Sequence, residues 1–199
     1  MKLVLVVGED ALCCALGKSI VCATLKDWKL ALEPISSSGI TKLLPNLGRY
    51  AEQARRVQPV VCVADTDGRC AAQLVSRWRP KNAPASFVLR LAVKEAESWV
   101  LADREALARF FAVAENVIPH RPDESSDPKR VVLALARRSK YRMIREEVVS
   151  RLDPARRGTG YNLHLANFVR DHWSAARASA HSPSLARAVR SVARLGRTS

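Results

Sequence analysis

Five carboxylates in this chain of 199 residues stand in three short clusters: Glu9, then Asp65 with Asp67, then Glu95 with Glu97. Each cluster follows an apolar run, Lys2 to Val7, Pro59 to Ala64 and Ser86 to Ala92. Runs of that length and composition read as buried strands, which places the acids at strand ends. A strand ending in Asp-x-Asp is expected to turn both carboxylates to one side, because side chains two apart in an extended chain share a face. Hard oxygen donors in that arrangement suit Mg²⁺ or Mn²⁺ rather than zinc, with water and phosphate filling the remaining positions. Glu9, delivered by a different strand, either completes such a site or serves as general acid or base in phosphodiester cleavage. Taken singly, each cluster also reads as helix caps and turn formers, and Asp67-Gly68 is an ordinary turn pair. Taken together, five carboxylates at one edge repel one another unless a cation compensates.

The elements that must position these acids follow from periodicity and punctuation. Helix is expected over residues 11–25, a second strand over 29–35 closed by Ser36-Ser37-Ser38-Gly39, and helix over about 41–57 limited or kinked by Pro45. Helix over 70–78 separates the last two strands. Alternating strands and helices imply a parallel, doubly wound sheet, whose ligands bind beyond the carboxyl ends of its strands. After Ser98 helical periodicity takes over, with helices expected over 99–113, 128–138, 143–152, 161–180 and 184–195. The polar stretch from Val117 to Ser126 reads as a linker or a loop over the site. Trp99, Leu101, Phe110 and Phe111 fall in an amphipathic run and are expected in the core, as are Trp28, Trp78 and Trp173.

Formal net charge is +14, from 33 Lys+Arg against 19 Asp+Glu. Such a field favours a polyanionic partner, although a bias towards Ala and Arg codons produces the same balance. From Pro154 to Ser199, arginines 156, 157, 170, 177, 187, 190, 194 and 197 oppose one acid, Asp171. Arg187, Arg190 and Arg194 are spaced to share a helix face and track a nucleic-acid backbone, while a solvated face or a contact for an acidic protein fits equally well. A content of 48% hydrophobic and 26% charged residues excludes a disordered or fibrous chain. The opening Met-Lys-Leu-Val-Leu-Val-Val-Gly is too short for a signal peptide or a membrane span, so a cytoplasmic protein without membrane partners is expected. Cys13, Cys14, Cys22, Cys62 and Cys70 form no C-x-x-C pair and read as reduced core residues. No G-x-x-x-x-G-K-[ST] loop occurs, so any nucleotide-driven step belongs to another chain.

Val7-Gly8-Glu9-Asp10, followed by Val63-Ala64-Asp65-Thr66-Asp67-Gly68, resembles the Glu plus Asp-x-Asp signature of Toprim domains. Topoisomerases, primases and the overcoming-lysogeny-defect nucleases share that signature. Lys94-Glu95-Ala96-Glu97-Ser98-Trp99-Val100-Leu101-Ala102-Asp103 is similar to the Arg-Glu-x-Glu-x-Trp-x-x-x-Asp stretch of a bacterial Toprim-like family of unknown function, often paired with phage-defence ATPases. Asp127-Pro128-Lys129, Gly160-Tyr161-Asn162-Leu163, Phe168-Val169, Trp173 and Ser182-Pro183-Ser184-Leu185 resemble that family's helical tail. The resemblance spans nearly the whole chain, with Lys94 standing where the family has arginine.

The resemblance implies an α/β fold, a Toprim-like parallel-sheet Rossmannoid core over 1–115 followed by an Arg-rich helical C-terminal extension over 116–199. It also implies a metal-dependent nuclease acting on DNA or RNA, the effector of an antiviral defence system with an AAA or ABC-type ATPase partner. Glu9 would be the metal-linked acid or base, Asp65 and Asp67 the Mg²⁺ ligands, and Glu95 or Glu97 a ligand of a second ion. Lys94 would touch phosphate or stand as a solvated charge. Two other readings use the same residues: a non-catalytic subunit docked on an ATPase, and a metal-dependent phosphatase or phosphotransferase.

Overall fold

The aliphatic runs form the strands, and the helices between them make every strand pairing parallel. The computed structural model describes residues 2–197. In order these are β1 (Lys2–Gly8), α1 (Ala11–Thr24), β2 (Trp28–Leu30), β3 (Ile35–Ser36), α2 (Ile40–Leu43), α3 (Leu47–Arg56), β4 (Val60–Asp65), α4 (Ala71–Trp78) and β5 (Phe87–Ala92). The sheet order is β2-β1-β4-β5, with β3 also pairing β1. In register, Gly8 lies opposite Val63 and Asp65 opposite Ala92, so the three acid-bearing strand ends lie side by side. The chain leaves β1 towards β2 on one side and returns to β4 on the other. The crevice of this topological switch therefore opens between the ends of β1 and β4.

Both faces of the sheet are covered, which is why its strands are apolar throughout rather than alternating. Leu5, Val7, Cys62, Phe87, Leu89 and Leu91 pack against Leu47, Tyr50 and Leu74 of α3 and α4. Val4, Val6, Val61, Val63, Val88 and Ala92 face the other way. There they meet α1 and most of the remaining helices: α5 (Ala96–Ala102), α6 (Arg104–Phe111), α7 (Pro128–Arg137), α8 (Arg142–Glu147), α9 (Tyr161–Asp171), α10 (Ala175–Ser179) and α11 (Pro183–Leu195). α9 packs on α1, and α11 packs on both α1 and β5, so the helical C-terminal part shares one hydrophobic core with a face of the sheet.

Several local expectations are corrected by tertiary contacts. The strand expected over 29–35 is two short pieces, β2 and β3, with bends between them. The helix expected over 99–113 breaks at Asp103, whose carboxylate is engaged elsewhere, and the one over 161–180 breaks around Trp173 and Ser174. The helix expected over 143–152 stops at Glu147, where Val149 forms an antiparallel bridge with Arg157. The stretch from Val117 to Ser126 is pinned rather than loose: Asp123 accepts bonds from the Ser182 hydroxyl and the Ser184 N–H, at 2.7 and 2.8 Å. Cys13, Cys14 and Cys62 are buried as expected, but Cys22 and Cys70 are exposed; all five are free thiols. Trp99, Leu101 and Phe111 are fully buried. Among the described residues no helix is long and apolar enough to cross a membrane.

Candidate functional site

Glu9 and Asp65 meet at the switch crevice. The Glu9 N–H donates to the Val63 carbonyl at 2.9 Å, which carries the β1–β4 pairing one residue beyond β1. The Asp65 N–H in turn donates to Glu9 Oε2 at 3.0 Å. Gly8 lets the first turn of α1 pack close against the end of β1, because a Cβ there would stand 2.5 Å from the Cys14 nitrogen. Asp10, next in sequence, is the N-cap of α1 and accepts from the Cys13 N–H at 2.8 Å. Glu9, not Asp10, is thus the acid that faces Asp65.

Asp65 Oδ1 accepts from the Ala96 N–H at 2.8 Å and lies 3.7 Å from the Cys13 sulfur, whose thiol donates weakly to it. Burial raises its pKa to about 8, with the charges of Glu97, Glu9 and Asp10 adding to the effect and the Ala96 N–H opposing it. Glu9 is raised as well, first by burial and then by Asp67 and Asp10, against the Asp65 N–H. Burial also lifts the Cys13 thiol well above its ordinary range, so it stays protonated.

Asp67 does not share that setting. β4 ends at Asp65, and the chain turns through Asp67 and Gly68 at φ of 48° and 77°, the left-handed region that Asp and Gly tolerate best. The extended geometry expected for Asp-x-Asp is therefore replaced by a turn. The Asp67 side chain is 55% exposed and pairs with Arg69 at 3.3 Å. The turn is fastened to the end of β5 by the Lys94 carbonyl, which accepts from the N–H groups of Thr66 and Asp67, both at 3.0 Å, and from the Thr66 hydroxyl at 3.2 Å. Lys94 acts here through its backbone.

Glu95 and Glu97 are delivered by the start of α5 and are neutralised within the fold. Glu95 accepts from both the backbone N–H and the ammonium of Lys129, at 3.1 and 2.8 Å. Glu97, 5% exposed, accepts from the Tyr161 hydroxyl at 2.8 Å and lies 3.7 Å from the Lys129 ammonium. Burial raises Glu97 although Lys129 and Tyr161 oppose it; burial works to lower Lys129, and the two glutamates outweigh it. Further along the same stretch, the Trp99 indole donates to the Ser184 hydroxyl at 2.7 Å. Asp103 accepts two bonds from Arg177, at 2.9 and 2.8 Å, and one from the Ser174 N–H at 2.6 Å. Glu95, Glu97, Trp99 and Asp103 thus each fasten a different helix of the C-terminal part: α7, α9, α11 and α10.

Lys129 and Tyr161 were not assigned roles from sequence, although both lie in the segments quoted for the helical tail. Arg157 joins them, its guanidinium 5.6 Å from the centre of the Tyr161 ring. Arg187, Arg190 and Arg194 are exposed on α11, along the flank of the sheet rather than at the acidic edge.

The donor chemistry of Glu9, Asp65 and Asp67 fits a hard divalent cation. Among the described residues, no group of three or more His, Cys, Asp or Glu side chains converges closely enough to hold one. Asp65 and Glu9 each place one carboxylate oxygen on a backbone N–H, at 2.8 and 3.0 Å. No family model, no curated protein and no solved structure matches the chain.

Proposed function

We propose that the acidic edge binds Mg²⁺ or Mn²⁺ and hydrolyses phosphodiesters of DNA or RNA, as a Toprim-like nuclease that works with an ATPase partner in antiviral defence. One observation carries the reading. Glu9 and Asp65 stand on adjacent strand ends at the switch crevice, the Glu9 carboxylate accepts from the Asp65 backbone N–H at 3.0 Å, and the charges that raise both side chains are other carboxylates. Such a pair takes up either a proton or a cation. Glu9, Asp65 and Asp67 would hold the ion, with Glu97 close enough to act on Asp65 electrostatically. A divalent ion bound there would polarise a phosphoryl oxygen and acidify a water molecule. Glu9, raised above its ordinary value by burial, would instead exchange the proton of the attacking water or leaving oxygen where it is not itself bound to the ion. Lys129 and Arg157, on the Glu97 side, would offset phosphate charge.

The test is cleavage of plasmid, linear duplex and tRNA, with Mg²⁺ or with EDTA, in the presence and absence of the candidate ATPase. Metal-dependent cleavage that Asp65→Asn abolishes supports the reading; no cleavage of any substrate under any of these conditions overturns it. The reading as a non-catalytic subunit draws on a separate observation. The 95–103 stretch engages its polar groups in holding the C-terminal helices, which is what a rigid docking module needs. Its signature would be co-purification with the ATPase that Asp65→Asn leaves unchanged.

A further inference from the structure

The free side of β5 carries a second charged site, of the opposite sign. β5 is the outermost strand, and a cavity of about 230 Å³ lies along it between the end of α4 and α11. Arg79 wraps the strand from one side, donating to the carbonyls of Phe87, Ala83 and Pro84 with its guanidinium over the Phe87 ring. Arg90 approaches from the other side, half-buried, with Nε, at 2.8 Å, and Nη2 both donating to the Ser191 hydroxyl and Nη1 to the Leu89 carbonyl at 3.3 Å. Arg187 is exposed one turn before Ser191 on α11, and Arg194 also lines the cavity.

The partners of these guanidiniums set them apart. By contrast, the buried Arg104 is paired with Glu115, and Arg177 with the buried Asp103. Arg79 and Arg90 donate to carbonyls and a hydroxyl, and among the described residues neither they nor Arg187 pairs with a carboxylate. The charge on Arg90 is disfavoured first by burial and then by Arg79, Arg194 and Arg187, all of its own sign. Holding the guanidiniums of Arg79 and Arg90 half-buried on carbonyl and hydroxyl partners alone is costly unless an anion joins them. Forked guanidinium donors match phosphate oxygens in geometry and charge. The cavity is below the roughly 300 Å³ at which sites for whole small molecules begin, so it suits one phosphate group rather than a nucleotide.

We propose that the free side of β5 is a phosphate-binding site, formed by the guanidiniums of Arg79 and Arg90 with Arg187 at its mouth. The phosphate comes either from a nucleic-acid backbone or from a free phosphorylated molecule. Because the site lies away from the acidic edge, it stands whether or not that edge binds metal.

The full chain, kept in EDTA, is titrated with inorganic pyrophosphate by calorimetry and with a fluorescein-labelled single-stranded oligonucleotide by anisotropy. Wild-type protein binds at least one probe, and Arg79→Gln or Arg90→Gln weakens that binding by about tenfold or more. Loss for both probes assigns the site to any phosphate group, and loss for the oligonucleotide alone assigns it to the backbone. Arg187→Glu, on the exposed surface, weakens the same probe several-fold and decides the matter should a half-buried variant fail to fold. Arg109→Gln, on the exposed surface of α6, leaves binding unchanged, which separates this site from the general positive charge of the surface. The proposal is overturned if neither probe binds, or if folded Arg79→Gln, Arg90→Gln and Arg187→Glu proteins all bind like wild type.

Discussion

The two halves of the acidic edge carry the same kind of side chain under opposite electrical conditions. At Glu9 and Asp65 the charges that act are all carboxylates, and burial adds to their effect. At Glu95 an ammonium sits within bonding distance, and at Glu97 the same ammonium and a phenol hydroxyl oppose the rise that burial causes. A carboxylate whose charge is already answered inside the fold is a fastening. One whose charge is unanswered is a place where a proton or a metal ion can be gained and lost. The difference splits the five acids into a pair suited to chemistry and a pair that anchors α7 and α9, with Asp67 exposed beside the first.

The largest expected effect tests the first half directly. Asp65→Asn keeps the oxygen that accepts from Ala96 and removes the charge, so metal-dependent cleavage should fall by at least ~10³-fold while circular dichroism stays that of wild type. Wild-type cleavage by a folded Asp65→Asn protein would remove the distinction between the halves. Glu9→Gln should lower the cleavage rate by ~10²-fold or more, the usual contribution of a general acid or base. An unchanged rate in a single-turnover assay would take Glu9 out of the mechanism.

The same pair sets a pH dependence of stability. Asp65 titrates near 3.8 in the unfolded chain and near 8 in the fold, so its contribution is complete below about pH 4 and is lost as pH rises through 8. Glu9 and Glu97 are raised too and act with the same sign. In EDTA the melting temperature should therefore fall between pH 5 and pH 8, by roughly 5 °C or more, and the slope should flatten in Asp65→Asn. Added Mg²⁺ should restore the loss at pH 8 in wild type only. A melting temperature that rises over that interval would contradict the burial of an unanswered charge.

The second half should respond as a fastening does. Lys129→Met leaves Glu97 buried without its cation and should cost about 2 kcal/mol, read from the urea midpoint, with much of the loss recovered by adding Glu97→Gln. Tyr161→Phe removes one hydrogen bond and should cost about 1 kcal/mol. A stability loss in Lys129→Met that Glu97→Gln fails to recover would show that Lys129 acts elsewhere.

Periodicity and composition were enough for the α/β class, the parallel sheet and the placing of three acidic clusters after strand ends, because these depend on residues adjacent in the chain. β1, β4 and β5 lie within a residue or two of the apolar runs, since a strand covered on both faces must be apolar throughout. The helix breaks at Asp103 and near Ser174 were not legible. The Asp103 carboxylate accepts once from Ser174 and twice from Arg177, 71 and 74 residues away in the chain.

What the three-dimensional fold alone decided is the environment of each acid. Lys129 lies 34 residues from Glu95 in sequence, and Tyr161 lies 64 from Glu97. Asp65 and Glu9 are separated by 56 residues, yet they share a hydrogen bond. Residue type and spacing determined that these groups carry negative charge and arrive at one edge. Whether that charge is answered depends on the burial and the distances of groups far apart in the chain, and folding alone brings those together.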